Sequence, residues 1–178
     1  MKIDKEIRKP LKQDAIFVAG KLNIEKPIYF INKINQGIAL ENNLNYQTNV
    51  IGKVTHWKFF LHDKEFVKLF VQINDYVSPF FNRKYLLDEA WGNRHDAFDK
   101  SEQHDHFPAL WSGVIYFSKS PQKLYFPEIK QELTPDIGTF AVFSSFIKHG
   151  TKTMFLDKPK YGISFNVGVV SKGYGQKS

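Results

Sequence analysis

Two histidines stand one residue apart in this chain, His104 and His106, inside a segment whose composition suits a β-strand. Residues i and i+2 of a strand point to the same face, so the two imidazoles can converge on one metal ion. An ion held from a single strand needs a further ligand from elsewhere in the fold. His149, near the start of another predicted strand, is the candidate for that ligand. The alternative is that all three are incidental surface or core histidines.

The composition restricts the chemistry that those histidines can support. The 178 residues include no cysteine, which excludes a disulfide scaffold, a thiolate zinc site, an iron–sulfur cluster and a cysteine nucleophile. Any metal must therefore be held by histidine, aspartate or glutamate. Aromatic residues make up 16% of the chain, and rings in this number favour pleated, half-buried β-structure.

Short apolar segments separated by turn residues dominate the second half of the chain, a spacing typical of a sandwich or jelly roll. The predicted strands are His104–Phe107, Trp111–Phe117, Lys123–Phe126, Thr139–Phe143, Ile147–Met154 and Tyr161–Val170. Residues 16–38 show a strand-and-turn pattern interrupted by Pro27 and Gly37. One helix is predicted over Asp63–Val77, because Asp63 can cap it and apolar residues then repeat at helical spacing.

We therefore predict a single domain over residues 1–178, mainly β, with a double-stranded β-helix (jelly roll) and one or a few packing helices. The Asp63–Val77 helix is expected on the outer sheet face, and residues 1–14 and 171–178 are expected to be flexible. No run of about 18 apolar residues occurs. The charged first ten residues do not look like a signal peptide. The expected location is the cytoplasm, with no membrane partner.

Further motifs follow the two histidines in a definite order. Residues 112–116 read SGVIY, Gly138 stands in a turn, residues 143–145 read FSS ahead of His149, and residues 160–166 read KYGISFN. With residues 46–50 and 91–93, this arrangement resembles the iron(II)/2-oxoglutarate-dependent oxygenases. It is most similar to the small branch of prolyl-hydroxylase-like and phage-type enzymes, over about residues 45 to 167.

The resemblance implies a non-haem iron(II) centre held by His104, His106 and His149. It also implies a 2-oxoglutarate site, with the distal carboxylate of the cosubstrate on Lys160, and O₂ as the other substrate. Strand alternation places Lys160 and Ser164 on one face. The hydroxyls of Tyr116 and Ser164 are the expected partners of Lys160 in holding that carboxylate.

Two positions depart from the family pattern. The usual third ligand is an aspartate where this chain has His106, so Asp105 is an alternative ligand if a β-bulge turns it inward. The family usually has arginine where Lys160 stands, and a lysine holds a carboxylate as a point charge without bidentate geometry. His95 is a further possible ligand, or a residue lining the entrance.

The implied activity is hydroxylation of an unactivated C–H bond, with a protein side chain such as prolyl favoured over a small anionic metabolite. The formal charge is +7 with only three arginines, which predicts an acidic substrate face and leaves nucleic acid as a less favoured partner. Specificity is expected from residues 93–103 and 42–52, with Arg94, Lys100 and Lys148.

The alternative from another class is a non-catalytic jelly-roll or cupin-like binding module, or a phage structural module, in which the histidines carry no chemistry. A cupin has a glutamate shortly after its histidine pair, and here no glutamate stands near Trp111, where it would be expected. The distal histidine of a cupin also stands soon after a Pro-x-Gly, whereas His149 lies well beyond Gly138.

Overall fold

The computed structural model describes residues 15–40, 49–81 and 84–170. The two ends that were predicted to be flexible, 1–14 and 171–178, lie outside these residues, as does most of the predicted 42–52 loop. Eleven strands and two α-helices form within the described part of the chain. The helices are α1 (Pro27–Leu40) and α2 (Lys64–Val77). The strands are β1 (Phe17–Lys21), β2 (Val50–Ile51), β3 (Lys53–Val54), β4 (Tyr85–His95), β5 (Lys100–Ser101), β6 (Trp111–Tyr116), β7 (Leu124–Phe126), β8 (Gln131–Leu133), β9 (Thr139–Ser144), β10 (Gly150–Thr151) and β11 (Lys160–Val169).

The strands form two facing antiparallel layers. The larger sheet has six strands in the order β1-β9-β6-β11-β4-β3. The opposite layer contains the three-stranded sheet β10-β7-β8 and the pair β2-β5. These two parts are joined by an antiparallel bridge between His104 and His149 and by a hydrogen bond from the Ser101 amide to the Thr151 hydroxyl (2.8 Å). The mainly β, jelly-roll architecture predicted from the sequence is confirmed.

The outer face of the six-stranded sheet is covered by both helices. Alternate residues of β11, from Tyr161 to Val167, contribute to one hydrophobic core with the buried faces of the helices. On α2 the buried residues are Phe66, Leu69, Ile73 and Val77, the i, i+3/i+4 spacing of an amphipathic helix. The predicted position of this helix on the outer sheet face is thus confirmed.

The inner face of the same sheet packs against the smaller layer. Val114, Tyr116, Leu124, Phe126 and Phe143 belong to this second core. This core does not fill the whole space between the layers. Lys160 and Ser164 of β11 point into the unfilled part, whereas their neighbours on the strand point to the helices. This polar space is where the candidate site lies.

Most of the predicted elements occur with small shifts at their ends, but two predicted strands are wrong. In the 104–107 segment only His104 forms a bridge, because the Asp105 carboxylate accepts from the Phe107 amide (3.1 Å) and turns the chain. The strand predicted over 147–154 is reduced to β10. The Lys152 carbonyl, just beyond β10, accepts from a glutamine side chain instead of continuing the ladder.

The strand-and-turn pattern predicted for residues 16–38 is correct only for β1. The second part forms α1, because Pro27 begins a helix, where its missing N–H costs nothing, and does not end a strand. Phe30, Ile34 and Gly37 then lie buried on one helical face. Strand β4 was not predicted at all.

No helix in the described ranges has the length and apolar character needed to cross a membrane.

The start of α2 is tied to α1 through one buried carboxylate. Asp63 accepts from the Phe66 amide (3.0 Å), from the Tyr29 hydroxyl (2.7 Å) and from the Lys33 ammonium (2.9 Å). Burial by itself would raise the pKa of Asp63, but these donors outweigh burial and lower the pKa. Asp63 therefore acts both as the helix N-cap and as the link between the two helices.

We expect Asp63→Ala to lower the free energy of unfolding by about 2–3 kcal/mol, because a cap and two further hydrogen bonds are lost together. Urea unfolding followed by circular dichroism measures the change. The matched control is Glu65→Ala, which removes an exposed carboxylate in the same helical turn and should leave the midpoint nearly unchanged. Equal losses in the two variants would contradict the role assigned to Asp63.

Candidate functional site

The three histidines singled out in the sequence meet in the space between the two layers. One potential ligand nitrogen from each of His104, His106 and His149 lies within 4.8 Å of the others. The backbone holds them there. The amides of His104 and His149 each donate to the carbonyl of the other (3.0 and 2.9 Å), and the His106 amide donates to the Ser145 carbonyl (2.8 Å). Their convergence follows from these backbone bonds, although the 104–107 segment is not a regular strand.

Two of the imidazoles are oriented by backbone carbonyls. His104 Nδ1 lies 2.6 Å from the Glu102 carbonyl, and His149 Nδ1 lies 3.1 Å from the Ile147 carbonyl. A carbonyl only accepts, so each Nδ1 carries a proton and, in the neutral ring, Nε2 is the nitrogen left to bind a metal. A hydrogen bond on the far nitrogen is the usual support of a metal-binding histidine.

The distance between the Nε2 atoms of His106 and His149 also suits a shared metal ion. His106 Nε2 and His149 Nε2 lie 3.2 Å apart. Two nitrogens about 2.1 Å from one metal are about 3.0 Å apart in octahedral and about 3.4 Å apart in tetrahedral geometry. Burial, and then the nearby histidines, lower the pKa of His106 to about 3 and hold the pKa of His149 well below its ordinary value. Both imidazoles are therefore neutral near pH 7, as metal ligands must be.

Asp105, the alternative ligand, is not part of this cluster. Its side chain is exposed, and its Oδ1 accepts from the Phe107 amide. The structure thus brings together three imidazoles and no carboxylate. A divalent ion held by them would keep its full charge, which favours an anion beside it.

A buried cation faces the histidine cluster across a small pocket. Lys160, at the first position of β11, is 2% exposed, and it lines the same pocket as the three histidines. None of the acidic side chains in the described ranges forms an ion pair with it. Burial lowers the pKa of Lys160 to about 7, a shift that the charge of Asp99 partly opposes. A buried ammonium without an acidic partner is costly unless an anion binds beside it.

Gln122 holds that lysine in place. Its side-chain amide nitrogen donates to the carbonyls of Asp99 (2.7 Å) and Lys152 (2.9 Å). The amide oxygen therefore faces the interior, where it accepts from the Lys160 ammonium and lies 2.9 Å from His95 Nδ1. Gln122 is 1% exposed. The sequence contains no signal for this residue, because it falls between a predicted turn and a predicted strand and belongs to no motif.

The two hydroxyl residues predicted to assist Lys160 also lie at the pocket. Tyr116 and Ser164 line the same pocket as Lys160, and the Lys160 Nζ lies 6.0 Å from the centre of the Tyr116 ring. Burial raises the pKa of Tyr116, so its hydroxyl stays protonated and can donate. Ser164 Oγ accepts from the Asn93 side-chain amide (3.0 Å).

His95 is neither a ligand of the cluster nor at an entrance. It is 2% exposed and pairs with Lys160 in the register of β4 with β11. Burial, and then the charge of Lys160, lower the pKa of His95 to about 4. This histidine is therefore neutral at the lysine end of the pocket.

Two of the three basic residues expected at the rim are directed elsewhere. Arg94 binds Asp96 (2.7 Å) and stacks 5.8 Å from the centre of the Tyr161 ring, and Lys100 pairs with Glu102 (2.5 Å). Neither residue lines the pocket that contains the histidines. These placements remove Arg94 and Lys100 from the cationic rim that was expected around the site.

No protein-family model matches the chain, and no curated protein matches its sequence. Solved structures do match its fold. The collagen prolyl hydroxylase of Paramecium bursaria Chlorella virus-1, solved with 2-oxoglutarate, has a TM-score of 0.66 at 14% identity, over 88% of this chain and 96% of that chain. A Pseudomonas putida prolyl-4-hydroxylase has a TM-score of 0.66 at 12% identity, over 87% and 93% of the two chains.

HygX from Streptomyces hygroscopicus, solved with nickel and 2-oxoglutarate, has a TM-score of 0.63 at 11% identity, over 88% of this chain and 83% of that chain. The chain therefore has the jelly-roll fold of the 2-oxoglutarate–iron(II) oxygenases. The fold that the sequence resemblance implied is confirmed.

The cluster predicts which substitutions remove metal. We expect His149→Ala to abolish binding of cobalt(II), because two imidazoles from one short segment cannot hold the ion alone. Elemental analysis and the visible spectrum of the cobalt-loaded protein measure this. His62→Ala, at an exposed histidine, is the control and should bind as the wild type does. Asp105→Ala should also retain metal, and its loss there would assign the third ligand to the carboxylate.

Proposed function

We propose that this chain is an iron(II)- and 2-oxoglutarate-dependent dioxygenase that hydroxylates a protein side chain, with prolyl the favoured target. The observation that carries the proposal is the Lys160 ammonium, buried without an acidic partner and facing three convergent histidines across one pocket. A cation on the far side of one pocket from a metal suits an α-keto acid with a second carboxylate. The shared fold with oxygenases supports the same assignment.

In this proposal His104, His106 and His149 hold the iron through their Nε2 atoms. When bound, iron(II) with 2-oxoglutarate and O₂ supplies the oxidising power for C–H hydroxylation, and succinate and CO₂ are the co-products. The backbone carbonyls of Glu102 and Ile147 keep two of the rings in the ligating tautomer. The residues present thus fit the metal by donor type, tautomer and spacing.

Lys160 binds the distal carboxylate, and Tyr116 donates its hydroxyl to the same group. Around the histidines the walls are apolar: the Phe143 ring centre lies 4.6 Å and the Phe126 ring centre 5.7 Å from that of His149. These rings exclude water from the His149 side of the site and strengthen the electrostatic interactions there. The space in the pocket is about 50 Å³, so entry of the diacid requires side chains that line it to move.

A protein substrate is supported by the two prolyl hydroxylases among the matching structures. The test is succinate formation from 2-oxoglutarate and iron(II), first alone and then with lysate fractions separated by size. Stimulation by the macromolecular fraction supports the protein side chain, and stimulation only by small molecules overturns that part. Absence of turnover together with absence of 2-oxoglutarate binding would favour the non-catalytic module.

The Lys160→Ala variant is expected to bind 2-oxoglutarate more weakly by about 2–3 kcal/mol, because a desolvated charged hydrogen bond is lost. Calorimetry on the zinc-loaded protein measures it. In the wild type the ammonium loses its proton as pH rises through its pKa of about 7, so affinity should be nearly constant below that pH and fall progressively above it. Lys160→Arg stays charged and should show no such fall. Identical pH profiles in the wild type and the arginine variant would remove Lys160 from the site.

Gln122→Glu is expected to weaken 2-oxoglutarate binding at least tenfold, on the order of 1.4 kcal/mol, because the new carboxylate takes the Lys160 ammonium for itself. Binding of 2-oxobutyrate, which lacks the distal carboxylate, should be unchanged, and so should cobalt binding. Gln72→Glu, at an exposed position of α2, is the matched control. If both keto acids weaken equally in Gln122→Glu, the effect is structural and the positioning role is wrong.

A further inference from the structure

A second depression adjoins the histidines on the side away from Lys160. It has a volume of about 300 Å³ and shares Val50, Trp91, His104 and His106 with the inner pocket. We call it the outer groove and define it by Trp57, Trp91, Glu89, Asp105 and Asn166. A molecule in this groove lies directly beside the histidine cluster, where the reacting bond of a substrate must be.

Two indoles form the aromatic wall of the outer groove. The ring centres of Trp57 and Trp91 are 4.8 Å apart in an edge-to-face arrangement, and Trp91 lies 5.9 Å from His106. The Trp57 carbonyl accepts from the Ala90 amide (2.8 Å), so the turn that carries this indole is fixed to β4. The wall is therefore held in a constant position relative to the metal ligands.

Two carboxylates complete the groove. Glu89 Oε2 accepts from the Asn166 side-chain amide (2.7 Å), and Asp105 Oδ1 accepts from the Phe107 amide (3.1 Å). Neither carboxylate forms an ion pair with any cation of residues 15–40, 49–81 and 84–170. The chain has 25 lysines and arginines, yet the described residues that line the groove include none of them. The local charge is thus opposite to the net charge of the protein.

Indole rings and carboxylates together select cations. A cation near an indole ring is attracted by the quadrupole of the ring, and a carboxylate adds a charge-assisted hydrogen bond. In the proposed enzyme an iron(II) held by three neutral imidazoles, the dianionic cosubstrate and the Lys160 ammonium together leave one positive charge, which the two carboxylates of the groove exceed. The sign of the field in the outer groove is then left to Glu89 and Asp105.

We propose that the substrate presents an ammonium or guanidinium group to the outer groove, between the two indoles and the carboxylates of Glu89 and Asp105. This inference rests on the proposed function and specifies its substrate as a cationic one. It replaces the acidic substrate that the net charge led us to expect. The carrier of the cation is a basic side chain of a peptide, and a free alkylammonium is distinguished from it by the test.

The test uses three heptapeptides that differ only at the central residue, which is lysine, norleucine or glutamate, and n-butylammonium as a small cation. Binding to the zinc-loaded protein with 2-oxoglutarate present is measured by calorimetry. We expect the lysine peptide to bind about tenfold more tightly than the norleucine peptide, from cation–π attraction and a charged hydrogen bond together. The glutamate peptide should bind most weakly.

The double variant Glu89→Gln/Asp105→Asn keeps both hydrogen-bond acceptors and removes both charges. In it the preference for lysine over norleucine should fall to about twofold or less. Asp75→Asn is the matched control, because Asp75 is an exposed carboxylate on α2 and does not line the outer groove. This control should keep the full preference.

Equal binding of the lysine and norleucine peptides, or a preference that survives the double variant, overturns the inference. Binding of n-butylammonium as tight as that of the lysine peptide would assign the cation to a small molecule and overturn the peptide carrier. The proposed function is tested separately in the same calorimeter. If 2-oxoglutarate binds and depends on Lys160 while the cation preference is absent, only the substrate assignment fails.

Discussion

The two faces of β11 connect the stability of the fold to the candidate site. Tyr161, Ile163, Phe165 and Val167 point outward into the core beneath the helices. Between them, Lys160 and Ser164 point to the inner pocket and Asn166 to the outer groove. Because β11 is paired with β4 on one side and, from Gly162 to Val167, with β6 on the other, its register is fixed over that central part. A slip of one residue would exchange the two faces, burying polar groups in the core and placing rings in the site.

Burial of Lys160 is the costliest consequence of this arrangement. A lysine ammonium removed from water loses several kcal/mol of hydration unless other groups replace it. Gln122 supplies one acceptor and, being neutral, does not satisfy the charge. His95 is held neutral beside it by burial and by that same charge. Burial therefore lowers the pKa of Lys160 to about 7, and an anion that enters beside it stabilises the ammonium form, which is the electrostatic condition for binding that anion selectively.

Sequence reasoning succeeded where pattern and chemistry coincide. Strands β6, β9 and β11 and helix α2 have strong periodicity, and the three histidines could be grouped because few residue types bind metals. Helix α1 was missed since Pro27 and Gly37 were interpreted as breaks, whereas the first begins the helix and the second is buried on its packed face. Gln122 could not be found, because its role comes from two carbonyls that are distant in sequence, at Asp99 and Lys152. Contacts of that kind exist only after folding.

The sign of the charge at the site was the least predictable property. A net charge of +7 describes the whole surface, but charges farther away than about 8–10 Å are largely screened at physiological salt. The field within a groove is set by the few groups that line it. Here Arg94 is held against Asp96 and the Tyr161 ring, while Glu89 lines the groove two strand positions from the pocket residue Trp91. The alternation of side chains along β4 explains why the anion lines the groove and the cation does not. Glu89, Trp91 and Asn93 share one face of the strand, and Arg94 lies on the other. The same alternation that separates core from site in β11 thus separates anion from cation in β4. The local charge follows from the positions of residues in a strand and is independent of how many of each kind the chain contains.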